Sequence, residues 1–201
     1  MIIGVSIDDI LRNSIDRFKT SYEDTFELEL PDSLVFDLTP NSLVEKSLFK
    51  TEFDAMSFLY EQNSLEIFGH AKETYRGVMV DVNELQSKCR DNNHTILLIS
   101  KEHGNSIPAT LFFLSKTSCK IRNYKFVAND SDVWDHCDLM ITANKSILLS
   151  KPENKISIKI LSDTNRDVKS DYEYIDLKDL ITNQTMDNLS PQTTNYDNQP
   201  K

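Results

Sequence analysis

Glycine is scarce in this chain. Only Gly4, Gly69, Gly77 and Gly104 occur among 201 residues, which excludes a glycine-rich phosphate-cradling loop of the G-x-x-x-x-G-K kind. Cysteine is scarce too: Cys89, Cys119 and Cys137 are odd in number and form no C-x-x-C pair. They read as reduced, small buried hydrophobes of a cytosolic setting rather than a disulfide framework. No apolar run reaches the roughly 18 residues a membrane-spanning helix needs. The opening Met1-Ile2-Ile3-Gly4-Val5-Ser6 has no basic n-region, so neither a secretory signal nor a membrane segment is expected. Without such a signal the Asn-x-Ser/Thr triplets at Asn93, Asn144 and Asn183 carry no glycosylation meaning. Basic residues are outnumbered, 22 Lys and Arg against 32 Asp and Glu, for a formal charge of −10. Such a surface repels nucleic acid and anionic membranes, which excludes direct, sequence-independent nucleic-acid binding. The histidines His70, His94, His103 and His136 are scattered without metal-ligand spacing. In His136-Cys137-Asp138, neighbours along a strand point to opposite faces, so a Cys–His dyad is not expected there.

What is present is an ordinary globular composition, 39 % hydrophobic and 27 % charged, at a length that suits one domain. Residues 2–5 form a short apolar run that stops at Ser6-Ile7-Asp8-Asp9, the pattern of a buried strand with a polar end. Asp8 or Asp9 then caps a helix running to about Ser21, with Ile10, Leu11, Ile15 and Phe18 at helical spacing. Residues 26–30 alternate like a strand, with residues 34–38 as partner and Pro31-Asp32 as the turn. From Ser42 to about Tyr75 the pattern is helical, and residues 82–90 read as another helix. Residues 95–100 (Thr-Ile-Leu-Leu-Ile-Ser) are the clearest buried strand, followed by a helix over 106–115. Residues 124–127, 138–142 and 156–160 are strand candidates, and 176–181 a short last helix. Strands alternating with helices argue for an α/β domain with a mainly parallel sheet covered on both faces. Residues 183–201, rich in Asn, Gln, Thr and Pro, cannot bury enough surface to fold alone. They form a polar tail behind a domain of residues 1–182, and are the candidate contact arm for other protein chains.

Open α/β sheets place their sites at the carboxyl ends of the strands. Here those ends read Ser6-Ile7-Asp8-Asp9, then Ser100, then Ile141-Thr142-Ala143-Asn144. This order resembles the haloacid dehalogenase (HAD) superfamily, and locally its 5′(3′)-deoxyribonucleotidase branch. There the first strand is followed by Asp-x-Asp-Gly-Val-Leu, where this chain has Ser6-Ile7-Asp8-Asp9-Ile10-Leu11. Asp138-Leu139-Met140-Ile141-Thr142-Ala143 stands where that branch carries an acidic pair, and Lys155-Ile156-Ser157-Ile158-Lys159-Ile160 with Asn165 resembles its last strand and loop. The resemblance implies a three-layer sandwich with a small helical cap inserted at about residues 40–90.

The resemblance also implies what is missing. The family's first Asp attacks phosphorus and ligates Mg²⁺; Ser6 stands there, and an unactivated hydroxyl is a poor nucleophile. The family's acid/base survives as Asp8 and its phosphate-holding hydroxyl as Ser100. No Lys or Arg lies between Phe126 and Asn144 to serve as the phosphate-binding lysine, and the acidic pair has become Thr142-Ala143. Asp8 alone remains as a candidate ligand for Mg²⁺, a cation that prefers at least one or two carboxylates. Loss of a nucleophile by itself costs about 10⁴ to 10⁶ in rate. A plainer account also covers these residues: Ser6 and Ser100 finish strands, and Asp8 caps a helix.

Two functions follow. The first is a catalytically inactive HAD scaffold serving as a structural or protein-interaction module, with no cofactor. The Gly-poor, Asn/Lys/Asp-rich texture resembles small virion proteins of tailed phages, the crAss-like group included, which places such a module in a capsid or tail ring, in the virion or the host cytoplasm. The alternative is a residual Mg²⁺-dependent phosphatase or nucleotidase acting on nucleoside monophosphates, with Asp8 activating water and Ser6 and Ser100 binding phosphate.

Overall fold

A computed structural model of the chain describes residues 1–31, 34 and 36–183. Strand β1 (Ile2–Ser6) is buried from Ile3 onward. The chain then turns instead of entering a helix: Ile7 O accepts from the amides of both Leu11 and Arg12, and Asp9 takes a left-handed φ of 67°. This turn lets the consecutive apolar pair Ile10 and Leu11 enter the core together, which one face of a helix would not do. A two-residue strand β2 (Arg12–Asn13) follows, and helix α1 (Ser14–Phe26) begins there, with Asn13 Oδ1 accepting from Asp16 N at 3.3 Å. Neither Asp8 nor Asp9 caps it, which corrects the sequence expectation, and α1 runs five residues past Ser21.

The expected hairpin of residues 26–30 and 34–38 is also corrected. Phe26 closes α1 and its ring stacks on Phe58 at 5.8 Å, while Leu30 N donates to Glu23 Oε1 at 2.8 Å. Leu34 and Phe36 pack into a helical layer rather than a strand pair, so aromatic burial outweighs the alternating pattern. That layer continues through α2 (Pro40–Glu45) and α3 (Glu52–Ser57), capped by the Thr39 and Thr51 side chains, and two π-helical turns, Phe58–Gln62 and Leu65–Gly69. Strand β3 (Lys72–Glu73) returns antiparallel to β2 and closes the layer.

Helix α4 (Val78–Asp91) then leads to β4 (Thr95–Lys101), α5 (Ser106–Lys116), β5 (Tyr124–Val127), a 3₁₀ turn (Asp130–Asp135) and β6 (Leu139–Thr142). Helix α6 (Lys145–Leu149), β7 (Ile156–Ile160), β8 (Tyr172–Tyr174) and α7 (Leu177–Thr182) complete the described chain. Six strands pair in the order β5-β4-β1-β6-β7-β8, every pairing parallel. The expected α/β architecture with a parallel central sheet is therefore what the chain adopts.

Two apolar layers sandwich the sheet. Ile3, Val5, Leu98 and Ile141 face α4, α5 and α7, while Ile99 and Met140 face Trp134 and Ile147 on the other side, the period-2 alternation of a doubly covered sheet. Gly4 lies on that second face, where a Cβ would come within 2.6 Å of Met140 Sδ and 3.0 Å of Cys137 Sγ. A third cluster, from Phe18 and Tyr22 through Phe58 to Phe68, forms the helical layer and reaches Ala109. Helix α4, inside the 40–90 insertion as read from sequence, instead packs Val82, Leu85 and Cys89 against the sheet. All three cysteines are buried, and burial pushes the Cys137 thiol up to about 12, which favours the protonated thiol. No described helix is long and apolar enough to cross a membrane. The proposed contact arm at 183–201 lies, apart from Asn183, outside the described residues.

Phe18 is fully buried and its ring meets Tyr22, Phe36 and Phe58 within 5.3 to 5.8 Å. Phe18→Ala is expected to cost about 3–5 kcal/mol in urea denaturation, whereas Phe53→Ala, at 76 % exposure, should cost under about 0.5 kcal/mol. Equal costs would show that the aromatic layer is not a packed core.

Candidate functional site

In the sheet order, β1 is the strand from which the chain builds outward in both directions, first through β4 and then through β6. The crevice at the carboxyl ends of these three strands is the expected position for a site in such a sheet. It collects most of the residues singled out from sequence. Ser6 ends β1, is buried, and its Oγ donates to Thr142 Oγ1 at 2.8 Å. Thr142 ends β6 and its Oγ1 also accepts from Asn144 N at 3.1 Å. Ala143 follows, buried, with its carbonyl held by Asn165 Nδ2 at 2.8 Å. Ser100 Oγ, near the end of β4, lies 2.9 Å from both Asp8 Oδ2 and Glu102 Oε1.

Asp8 is gripped. Arg12 Nε donates to Asp8 Oδ1 at 2.9 Å and Arg12 Nη2 to Oδ2 at 2.9 Å; Ser14 Oγ donates to Oδ1 at 3.0 Å. The turn at Asp9 makes this possible, since it sets Asp8 beside Arg12 with their backbones bridged. Arg12 is completely buried. Its Nη2 also reaches Glu102 Oε1 at 2.7 Å, its Nη1 donates to Thr110 Oγ1, and its guanidinium lies over the Phe68 ring at 4.9 Å. Desolvation weakens a guanidinium's hold on its proton, but Asp8 and Glu102 outweigh it and raise the Arg12 pKa above its usual range. Glu102 Oε2 is buried without a hydrogen-bond partner among the described residues.

The outer wall of the crevice is acidic. Asp9, Asp37 and Asp130 line it with Asp8, and Lys101 is the basic side chain among them, paired with Asp130 at 3.2 Å. Asp9 is exposed as a residue and lines the crevice. Lost hydration, with repulsion from Asp8, Asp37 and Asp130, pushes it up to about 7 against the pull of Arg12. Asp37 is likewise raised, by desolvation and then by Asp130.

Sequence reasoning missed Arg12, Glu102 and Thr110, along with Lys101, Asp37, Asp130 and Tyr60. Arg12 carried a signal in hindsight: it directly follows the buried pair Ile10-Leu11 and stands four residues after Asp8. Nothing local marks Glu102, Thr110 or Asp130, which only tertiary folding brings to the crevice.

Solved structures with similar backbones are HAD hydrolases. CbbY from Rhodobacter sphaeroides, in complex with phosphate, superposes with a TM-score of 0.62 at 8 % identity, covering 89 % of this chain and 95 % of that one. The fold is the haloacid dehalogenase fold. A haloacid dehalogenase-like family hydrolase from Xanthomonas campestris matches at 0.52 with 14 % identity over 88 % and 91 % of the two chains, and a dehalogenase with an intermediate complex at 0.58 with 10 % identity over 90 % and 95 %. No family model matches the sequence, and no curated protein matches it.

The HAD resemblance implies Mg²⁺, and the donors present do not fit it. Magnesium prefers near-octahedral oxygen ligands, usually including carboxylates. Ser6 and Thr142 are neutral and bonded to each other, and the Asp8 oxygens already serve a guanidinium and two hydroxyls. Among the described residues no group of three or more His, Cys, Asp or Glu is arranged to hold a metal.

Arg12→Met should cost about 3–5 kcal/mol in urea denaturation, because it strands the buried Glu102 carboxylate. Adding Glu102→Gln should recover part of that loss; a double variant no more stable than the single one would refute the pairing. Asp9 supplies a pH test. Its carboxyl binds a proton more tightly in the folded chain than at the ordinary 3.8. Ionising it therefore lowers stability as pH rises from about 4 to about 7. The advantage of Asp9→Asn over the parent should grow across that window, and a pH-independent difference would contradict the shift.

Proposed function

We propose that this chain is a catalytically inactive HAD-fold protein that works by binding other protein chains, as a structural subunit of the kind a phage capsid or tail ring is assembled from. The observation that carries the inactive part is the grip on Asp8. A general acid/base must have a lone pair or proton free to meet the substrate within hydrogen-bond reach, and here Arg12 engages both carboxylate oxygens, Ser14 adds a second bond to Oδ1, and the one Ser100 proton lies within reach of either Oδ2 or Glu102 Oε1.

The neighbouring positions support the same reading. The hydroxyl of Ser6 is directed at Thr142 rather than into the crevice. Phosphoryl transfer depends on positive charge around the transferring group, while this crevice presents four carboxylates and a lysine already paired with one of them. The partner class rests on the acidic surface and on the polar segment 183–201.

The experiment is a phosphate-release assay with deoxynucleoside monophosphates and Mg²⁺. No turnover above background is expected, and Asp8→Asn should leave that background unchanged. Turnover that Asp8→Asn abolishes would replace this reading with a residual nucleotidase.

A further inference from the structure

The crevice has inverted its charge, and this bears on what it holds. Its inner recess, about 70 Å³, is lined by Asp8, Asp9, Asp37 and Asp130, with Tyr60 and Phe68 as its aromatic wall. A second observation is independent of the carboxylates. Tyr60 is 5 % exposed, lines the recess, and its hydroxyl has no hydrogen-bond partner among the described residues. The ring is buried while the phenol oxygen stays accessible from the recess, so that oxygen is open to a ligand. Burial, and then Glu102, Asp8 and Asp130, keep that phenol protonated, yet its oxygen lone pairs remain free to accept from an N–H donor.

We propose that the recess binds a primary ammonium group, the head of a lysine side chain or of a polyamine, with Asp9, Asp37 and the Tyr60 hydroxyl as its acceptors. Asp9 and Asp37 have no ion-pair partner among the described residues, whereas Asp130 is satisfied by Lys101 and Asp8 by Arg12. The fold already uses the aromatic wall this way: Arg12 lies over Phe68 at 4.9 Å, and Tyr60 is parallel to Phe68 with centroids 5.8 Å apart. Beyond the recess opens a wider cleft of about 320 Å³ that shares Asp9, Ser14, Ile15, Asp37 and Asn144 with it and adds Leu34, Phe36 and Leu161. The cleft wall is mixed, with polar Asn13, Thr74 and Ser162 beside these apolar side chains, and its apolar part can take the methylenes of an alkylammonium whose head sits in the recess. A phosphate would meet carboxylates at the same place. A metal ion is disfavoured because these carboxylates do not converge on a common point.

This inference deepens the noncatalytic reading and rests on it, so the test separates the two. The full-length protein is titrated, with amide chemical shifts followed by NMR, with an acetylated, amidated Gly-Lys-Gly peptide, with spermidine and with inorganic phosphate. Saturable shifts at Asp9, Asp37 and Tyr60 are expected with at least one amine and none with phosphate. Binding of the peptide points to a lysine of a partner chain, and binding of spermidine alone to a free polyamine; either supports the ammonium site. Tyr60→Phe should weaken binding about fivefold, and Asp9→Asn with Asp37→Asn about tenfold. Lys101→Met, which frees Asp130, should tighten it about threefold; this gain cannot come from misfolding. Amine binding that ignores all of these variants would mean attraction to the acidic surface at large and would overturn the site. No binding of either amine or phosphate would overturn it and leave the noncatalytic reading standing. Phosphate binding with phosphoester turnover would overturn both.

Discussion

A single buried guanidinium organises the sheet's carboxyl edge. Arg12 is completely buried, and its side chain ties together three elements distant in sequence: the loop after β1 through Asp8, the end of β4 through Glu102, and α5 through Thr110. A charge so placed is tolerable only with its partners, since a lone buried ion costs several kcal/mol. The two carboxylates and the Phe68 face supply that compensation. The same geometry engages both Asp8 oxygens, so one interaction accounts both for how the crevice is held together and for how its strand-end carboxylate is oriented.

Much of the fold was legible because the sheet strands are buried on both faces and read as short β-branched runs bounded by polar residues. Residues 95–100 and 156–160 could be placed by that signal alone, and both lie in the parallel sheet. The failures lie where local pattern and tertiary burial compete. Phe26 and Leu30 alternate like a strand, but Phe26 has Tyr22, Phe49 and Phe58 within 6 Å, and a helix end delivers it there. Ile10 and Leu11 suggested a helix, but both had to enter the sheet's core, and the left-handed residue at Asp9 is the device that achieves it.

The site was legible in a different proportion. Strand ends bring Ser6, Asp8, Ser100 and Thr142 to one edge, because a parallel sheet aligns its carboxyl ends whatever the side chains are. What the side chains do there was not legible. Glu102 lies ninety residues from Arg12 and Thr110 ninety-eight, separations at which no spacing rule operates. Asp37 and Asp130 reach the same recess from the two sides of the fold, one from the helical layer and one from the 3₁₀ turn.

Charge inversion is the step that links the parts. A HAD crevice built for phosphate needs positive charge or a metal to balance the anion. Here Lys101 is taken by Asp130 and Arg12 is sealed below, so the balance at the crevice is negative. Like charges gathered at one edge repel one another, and that repulsion contributes to the raised Asp9 carboxyl. A scaffold with no ligand at this edge would gain stability by replacing Asp9 or Asp37 with neutral residues. Their place beside the Tyr60 hydroxyl is physically intelligible if the missing positive charge arrives from outside the chain.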